Sequence, residues 1–149
     1  MAIAQAMCTS FKKELLEGVH NFKNSGGDTF KLALYAEGSG GKSSTTATLG
    51  ATTTAYSATN EVSGTGYTAG GVTLTNQVVS TSGTTAYFDA DDPEWTSASF
   101  TTAGALIYNS TASTKAIAVL SFGGDFTVTS GTFRIVFPAP GAAAIVRID

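Results

Sequence analysis

The side chains of this 149-residue sequence that could do chemistry are few and scattered. His20 is the only histidine and Cys8 the only cysteine, so a Ser/His/Asp or Cys/His catalytic arrangement would have to use them. Twelve positions separate the two residues across the start of a predicted helix, a spacing that does not bring the side chains together. Neither residue lies near a Gly-x-Ser-x-Gly nucleophile elbow. We interpret His20 as a partly exposed structural residue and Cys8 as an incidental buried or interface thiol.

The densest acidic cluster lies in FDADDPEW, where Asp89, Asp91, Asp92 and Glu94 fall within six residues. Ca²⁺ binds several carboxylate and carbonyl oxygens, and a loop of this kind can supply them. The pattern lacks the glycine and the terminal glutamate of an EF-hand loop, and a solvated turn is the alternative interpretation. We expect no cofactor, and these four residues are the candidates for a structural Ca²⁺ site if one exists.

Other motifs fit structural roles better than catalytic ones. Glu14 and Glu17 fall on the polar face of the predicted helix, and a glycosidase pair needs a cleft that the sequence does not indicate. Residues 38–42 are rich in glycine and end in lysine, but they lack the spacing of a phosphate-binding loop. Six aromatic residues are candidates either for a sugar-binding platform or for the core: Tyr35, Tyr56, Tyr67, Tyr87, Trp95 and Tyr108.

The composition is unusual in its low charge. Charged residues make up 13% of the chain, about half the ~25% of ordinary soluble domains. Eight basic against eleven acidic residues give a net charge of −3 with no basic run, which argues against direct nucleic-acid binding. No stretch approaches the ~18 apolar residues of a membrane span, and the start MAIAQAMC lacks the pattern of a signal peptide. Such a surface suits a protein that packs into a larger assembly or acts outside the cytoplasm.

A single amphipathic helix is predicted near the N terminus, over residues 11–22. Phe11, Leu15, Val19 and Phe22 form one apolar stripe, and Ser10 is the predicted N-cap. A helix of about twelve residues is marginally stable alone. We therefore expect its stripe to dock on the sheet or on a neighbouring chain.

The rest of the chain is predicted to form roughly eight or nine short strands bounded by turn residues. The first covers residues 30–35, where Phe30, Leu32 and Leu34 face one way and the intervening side chains the other. The next two, 72–80 and 84–89, form a hairpin through Thr81-Ser82-Gly83. The later strands are predicted at Phe100, 105–108, 115–122, 126–137 and 143–148.

Two glycine-containing motifs divide the last third of the chain. Gly123-Gly124-Asp125 is predicted to be a tight hairpin turn that Asp125 caps, and Ser130-Gly131 to interrupt the strand that follows. The predicted fold class is mainly β, an antiparallel β-sandwich or jelly-roll-like domain with one short N-terminal helix.

One domain is expected for a chain of this length. It divides into an N-terminal segment with the helix (1–27), a Gly/Ser/Thr-rich stretch (36–71) and a strand-rich core (72–149). A structureless loop as long as residues 36–71 is uncommon in a compact domain. Two interpretations stay open for it: a long loop that lies on its own domain, or an arm that is ordered only against a neighbouring subunit.

Four stretches of the sequence resemble, in order, a family of small tailed-bacteriophage proteins found among virion structural genes. They are FKKELLEGVHNF with the following FKLALY, NEVSGTGYTAGGVTLT, FDADDPEWTSASFTTAGALIYN and KAIAVLSFGGDFTVTSGTFRIVFP. The resemblance covers most of the chain, and no catalytic motif accompanies it. It implies a structural component of the particle that is made in the host cytoplasm and assembled into the virion.

The resemblance leaves the role within the particle open. Our first expectation is a non-enzymatic capsid decoration or cement protein, a homo-oligomer that contacts the major capsid protein; a neck, head–tail adaptor or tail component is the alternative. A carbohydrate-binding receptor-recognition module is the alternative from another class, and it requires clustered exposed aromatic residues beside the acidic loop. The predicted interface residues are Phe11, Leu15, Val19, Phe22, Leu49, Tyr56 and Tyr67.

Overall fold

The computed structural model describes residues 3–37 and 48–149 and confirms a mainly β chain with one short N-terminal helix. Residues 38–44, the most glycine-rich part of the predicted loop or arm, lie outside the described residues. The elements in chain order are β1 (Ala6–Met7), α1 (Thr9–Leu16), β2 (Phe30–Tyr35), β3 (Val72–Thr73), β4 (Val78–Ser82), β5 (Thr85–Asp89), β6 (Glu94–Asn109), β7 (Lys115–Arg134) and β8 (Val146–Ile148).

Two antiparallel sheets pack against each other. The larger sheet has five strands in the order β1-β7-β6-β2-β3, and the smaller has three in the order β4-β5-β8. Phe88 of β5 lies 5.7 Å from Phe30 of β2, measured between ring centroids. Phe22 contacts both rings and stacks on Phe30 at 4.3 Å. These contacts join the two sheets into the predicted sandwich-like fold.

The centre of the five-stranded sheet is buried on both faces. As predicted, Phe30, Leu32 and Leu34 point to one face, which packs on α1 and the smaller sheet. The opposite face is covered by residues 48–71, which have little regular structure. Main-chain hydrogen bonds tie this segment to three strands: Val62 N to Leu34 O, Ser99 N to Thr65 O and Ala116 N to Thr54 O. The described part of the long stretch is therefore a loop that lies on its own domain.

The helix α1 is shorter than the predicted 11–22, because Gly18 adopts a φ of +71° just after it. Its N-cap is Cys8 rather than Ser10, and no side chain caps the first turn. Val19 and Phe22 consequently lie in an irregular segment, not on the helix. No helix in the described ranges is long and apolar enough to cross a membrane.

The short strands predicted after residue 94 merge into two long ones. β6 has 16 residues and β7 has 20, and they pair along almost their whole length. Gly123-Gly124-Asp125 is therefore not a hairpin turn. Thr102 pairs with Phe126 and Gly104 pairs with Ser121, so residues 122–125 of β7 lie opposite Ala103 alone. The motif is a large β-bulge, in which the positive φ values of Gly123 (+83°) and Gly124 (+157°) accommodate the extra residues.

A second bulge confirms the interruption predicted at Ser130-Gly131. Ala98 pairs with Gly131 and Phe100 with Val128, so one β6 residue lies opposite two β7 residues. Ser130 adopts a φ of +47° at this point. Glycine and small polar residues allow positive φ in bulges as well as in turns, and for this reason the local sequence does not distinguish them.

The remaining strand boundaries also differ from the prediction. Residues 72–80 split between the two sheets, because β3 pairs with β2 whereas β4 pairs with β5. Asn76 lies at the break with a φ of +52°. The β4–β5 hairpin closes through Gly83-Thr84, so Thr81 and Ser82 belong to the strand. The C-terminal strand is limited to Val146–Ile148.

Gly71 is expected to be indispensable to the fold, since it joins residues 48–71 to β3 at a φ of +77°. A Cβ at this position would lie 1.8 Å from the Leu32 carbonyl oxygen. Gly71→Ala should lower the free energy of unfolding by more than about 3 kcal/mol, measured by urea denaturation. Gly18→Ala is the matched control because its φ is +71° with nothing within 4 Å of the new Cβ, and it should cost about 1–2 kcal/mol. Equal losses in the two variants would contradict this account.

Candidate functional site

A buried carboxylate, Glu61, lies at the centre of a group of tyrosines between residues 48–71 and the five-stranded sheet. Glu61 is 7% exposed, and its backbone bridges to Tyr35 of β2. Oε1 accepts hydrogen bonds from the Tyr67 hydroxyl at 2.6 Å and from the Gly70 amide at 2.7 Å. Oε2 accepts from the Tyr56 hydroxyl, also at 2.6 Å. We call Glu61 with Tyr35, Tyr56, Tyr67 and Tyr108 the tyrosine–carboxylate cluster.

Two tyrosines of the cluster belong to the sheet and bind the loop that covers it. Tyr35 donates its hydroxyl to the Ser57 carbonyl at 2.7 Å, and Tyr108 donates to the Gly70 carbonyl at 2.8 Å. The Tyr56 ring stacks on that of Tyr108 with the centroids 4.7 Å apart. The cluster therefore fastens the irregular loop to β2 and β6 by polar contacts.

Burial and the charge of Glu61 suppress ionisation of the surrounding phenols. Burial is the main reason that the pKa of Tyr35, Tyr56, Tyr67 and Tyr108 is raised, and the negative charge of Glu61 raises it further. The hydroxyls of Tyr56 and Tyr67 thus remain protonated donors to the carboxylate at neutral pH. Among the described residues no basic side chain forms an ion pair with Glu61. The arrangement suits a structural centre rather than a proton-transfer site.

Glu61 is not among the site residues predicted from the sequence. A usable signal was present, because Glu61 is the only charged residue in positions 48–71 and has a tyrosine on either side in the sequence. An isolated acidic residue in an uncharged segment that must cover a sheet indicates a buried, hydrogen-bonded carboxylate.

His20 belongs to a second buried network, and its side chain is 0% exposed. Asn109 Nδ2 donates to His20 Nδ1 at 3.0 Å and to Asp28 Oδ2 at 2.7 Å. Because Nδ1 accepts this bond, Nε2 carries the ring proton and donates to Glu14 Oε2 at 2.7 Å. The other oxygen of Glu14 accepts from Lys115 Nζ at 3.0 Å. The network joins α1 to the turn between β6 and β7.

This network corrects two expectations. The side chain of His20 is buried, although the residue as a whole is half-buried, and Glu14 is buried rather than on the solvent face that Glu17 occupies. Burial raises the pKa of the Glu14 carboxyl, but the hydrogen bonds from His20 and Lys115 outweigh it and leave the pKa below its ordinary value. Cys8 is fully buried, as predicted. Burial, together with the charge of Glu14, raises the pKa of Cys8 to about 11, which makes the thiol a poor nucleophile.

The acidic loop has a role in chain packing. Asp92 Oδ1 accepts from the Phe137 amide and Asp92 Oδ2 from Arg134 Nη2, both at 2.8 Å. Asp91 accepts from two side chains of the loop before β4. Within residues 3–37 and 48–149, no three His, Cys, Asp or Glu side chains are grouped to hold a metal ion. The candidate ligands Asp89, Asp91, Asp92 and Glu94 therefore do not form such a group in this structure.

Most of the predicted interface residues pack within their own chain. Phe11 is fully buried inside its own chain, where it presents no surface to a neighbouring subunit. Val19 is half-buried. The others are partly buried and pack against the core: Leu15, Phe22, Leu49, Tyr56 and Tyr67.

The aromatic residues considered for a sugar-binding platform also point largely inward. Tyr35, Trp95 and Tyr108 are buried, and Tyr87 is half-buried. Tyr67 packs on Trp95 with the ring centroids 6.2 Å apart. All of them except Tyr87 contribute to the core or to the tyrosine–carboxylate cluster.

Other apolar side chains reach the surface instead. Leu16 at the end of α1 is 92% exposed, and Val79 of β4 and Ile148 of β8 are more than half exposed. Val79 and Ile148 line, with Leu15, a small apolar groove of about 100 Å³ between α1 and the three-stranded sheet. A larger cleft of about 540 Å³ lies between β1, β7 and the C-terminal segment, and it contains none of the predicted site residues.

Comparisons of the chain with protein-family models, with curated proteins and with solved structures gave no match. The resemblance to the phage virion family is therefore a prediction that rests on the four sequence stretches.

Removing the charge of Glu61 should destabilise the fold. Glu61→Gln replaces one acceptor oxygen by an amide group that cannot accept the hydrogen bond of a tyrosine hydroxyl or the Gly70 amide. The free energy of unfolding should fall by about 2–4 kcal/mol in urea denaturation. Glu17→Gln, on the exposed face of the helix end, is the control and should change it by less than about 0.5 kcal/mol. A Glu61→Gln variant as stable as the control would show that the carboxylate is dispensable.

Alkaline pH should destabilise the protein through the same cluster. The folded-state pKa of its tyrosines is raised above the unfolded value of about 10, so their contribution to stability is complete below that pH and is lost as the pH rises beyond it. The free energy of unfolding should fall by up to about 1.4 kcal/mol per pH unit for each tyrosine involved. Tyr56→Phe should make the slope shallower, and Tyr87→Phe should not. If the free energy of unfolding fell with pH at the same rate in both variants and the parent chain, the alkaline destabilisation would not come from the cluster.

Proposed function

We propose that the chain is a non-enzymatic structural protein of a tailed-bacteriophage particle and that it decorates the capsid shell. The observation that carries this proposal is the two-stranded ribbon formed by residues 94–102 of β6 and 126–134 of β7. Among the described residues, no third strand pairs with the ribbon, and the one further backbone contact is an isolated bridge between Thr65 and Ser99. The ribbon therefore extends beyond β2 and offers a long outer surface.

The surface of the ribbon is polar but almost uncharged. Its only charged residues are Glu94 and Arg134, which lie opposite each other at its end, and none occurs in positions 95–102 or 126–133. The exposed ribbon residues include Thr96, Thr129 and Thr132, and Phe126 is 52% exposed. Depletion of charged residues is characteristic of the buried core of protein interfaces. Covering this surface removes few charges from water, so the desolvation cost of association is small.

The two buried networks support a non-enzymatic role. Glu61 and His20 are the groups best suited by type to acid–base chemistry, and both are bound by structural hydrogen bonds inside the domain. A cement protein acts instead through interfaces that exist only in the assembled particle and stabilise it by mass action. The partners in this proposal are the major capsid protein and further copies of the chain.

Cryo-electron microscopy of purified particles tests the proposal directly. Density for the chain over the whole shell is the expected result. Density confined to the portal vertex or tail would contradict capsid decoration and favour the neck, adaptor or tail role. Absence of the chain from particles would overturn a structural role.

The ribbon can be tested separately, with particles that lack the protein. Thr129→Lys places a charge on the ribbon and should weaken binding to such particles at least tenfold, measured by co-sedimentation. Thr73→Lys on β3, an exposed strand position outside the ribbon, is the control and should bind as the parent chain does. Equal binding by both variants would exclude the ribbon as the contact surface.

A further inference from the structure

The outer edge of β4 is an open strand edge. β4 is the first strand of the three-stranded sheet and pairs only with β5. All five of its residues, Val78–Ser82, are exposed. Within the described chain no main-chain hydrogen bond is formed by its outer side. Such an edge presents unpaired N–H and C=O groups that can accept another strand.

Apart from the ribbon, where the outer sides of β6 and β7 are also largely unpaired, the other strand edges differ from β4 in length or charge. β1 and β3, the edges of the larger sheet, have two residues each. β8, the opposite edge of the smaller sheet, carries Arg147, whose Nε lies 3.6 Å from Asp149 Oδ2. Short strands and charged side chains are the usual protection of an edge. Positions 76–84 around β4 contain neither a charged residue nor proline.

We propose that β4 pairs antiparallel with β4 of a second copy of this chain, about a two-fold axis at Ser80. Ser80 then lies opposite Ser80 of the second copy, and Val79 lies opposite its Thr81. The two three-stranded sheets become one continuous sheet of six strands, with the order β8-β5-β4-β4-β5-β8. A two-fold axis makes the contact isologous and closed.

The side-chain pattern of β4 fits pairing with β4 of a second copy. Val79 pairs with Phe88 and Thr81 with Ala86 across the β4–β5 ladder, so Val79 and Thr81 lie on the same face of the sheet. The dimer brings Val79 beside a threonine methyl group of the other copy on that face. At a two-fold axis a charged residue would meet its own like charge, which is destabilising, and β4 has none. A partner strand with charges would find no opposite charge on this edge.

The pairing adds a contact between copies of the chain to the proposed function. It rests on that function only in placing the dimer on a phage particle. One strand pair is small beside the ~1,200 Å² of a stable interface. We therefore expect a dimer that depends on concentration in solution. Placement of many copies side by side on a shell raises their effective concentration and favours the same contact.

Cysteine cross-linking of the full chain tests the register. Opposite residues in an antiparallel pair have Cα atoms about 4.5–5.5 Å apart, within the range a disulfide spans. Ser80→Cys should form a covalent dimer on mild oxidation, at least tenfold more than Thr73→Cys, an exposed residue on another edge strand. Val78→Cys and Ser82→Cys should cross-link when mixed and little when alone. The native Cys8 is fully buried and does not interfere.

Charge reversal at the axis provides a second, independent readout. Sedimentation velocity of the parent chain should show a monomer–dimer equilibrium. Ser80→Lys and Ser80→Glu should each shift it to the monomer, and an equimolar mixture should restore the dimer. Circular dichroism spectra that match the parent chain establish that both variants are folded.

Three results would overturn the pairing. The first is a parent chain that stays monomeric up to about millimolar concentration. The second is a ladder of larger species, which indicates pairing of β4 with β8. The third is a parent chain that is monomeric in solution and binds particles, combined with loss of that binding in Ser80→Lys. This result would indicate that the β4 edge pairs with a strand of another protein. A dimer that forms in solution while the chain is absent from particles would uphold the pairing and refute the proposed function.

Discussion

The buried carboxylate of Glu61 is the contact on which the rest of the structure depends. The central strands of the larger sheet are apolar on both faces, and the smaller sheet and α1 cover only one of them. The second face is covered by residues 48–71, which contain few large apolar side chains. Burying Glu61 is costly unless its oxygens are hydrogen-bonded, and Tyr56, Tyr67 and Gly70 of the same segment supply these bonds. Tyr35 and Tyr108 of the sheet bind the segment through the carbonyls of Ser57 and Gly70. The loop, the tyrosines and the sheet are therefore ordered together.

The paired strands β6 and β7 give the domain its length. They remain paired through successive register shifts because bulges absorb the extra residues of each strand. Near the β2 end both strands are buried, and towards Glu94 and Arg134 they form the ribbon, whose β7 strand is mostly exposed. One pair of strands thus provides both the centre of the core and the surface that we propose for assembly.

Chemical reactivity and surface exposure are separated in this protein. The ionisable groups of highest interest, Glu61, Glu14 and His20, are bound inside the domain, whereas the ribbon and β4 expose Thr, Ser and a few apolar side chains. Two surfaces with little or no charge on different sheets suit a protein that makes several contacts at once. The ribbon is proposed to contact the shell and the β4 edge a second copy, so that each contact supports the other.

The sequence by itself determined the fold class, the presence of one N-terminal helix and the two faces of β2, because composition and residue alternation act locally. It also indicated that residues 123–125 and 130–131 need unusual backbone conformations. Only the tertiary structure decided that Gly123-Gly124-Asp125 is a bulge and not a hairpin turn, since the answer depends on which β6 residues lie opposite. The burial of His20 and the assembly of tyrosines around Glu61 were likewise beyond local reasoning. These contacts join residues far apart in the chain, such as His20 and Asn109, and no short-range pattern encodes which distant side chain will be the partner.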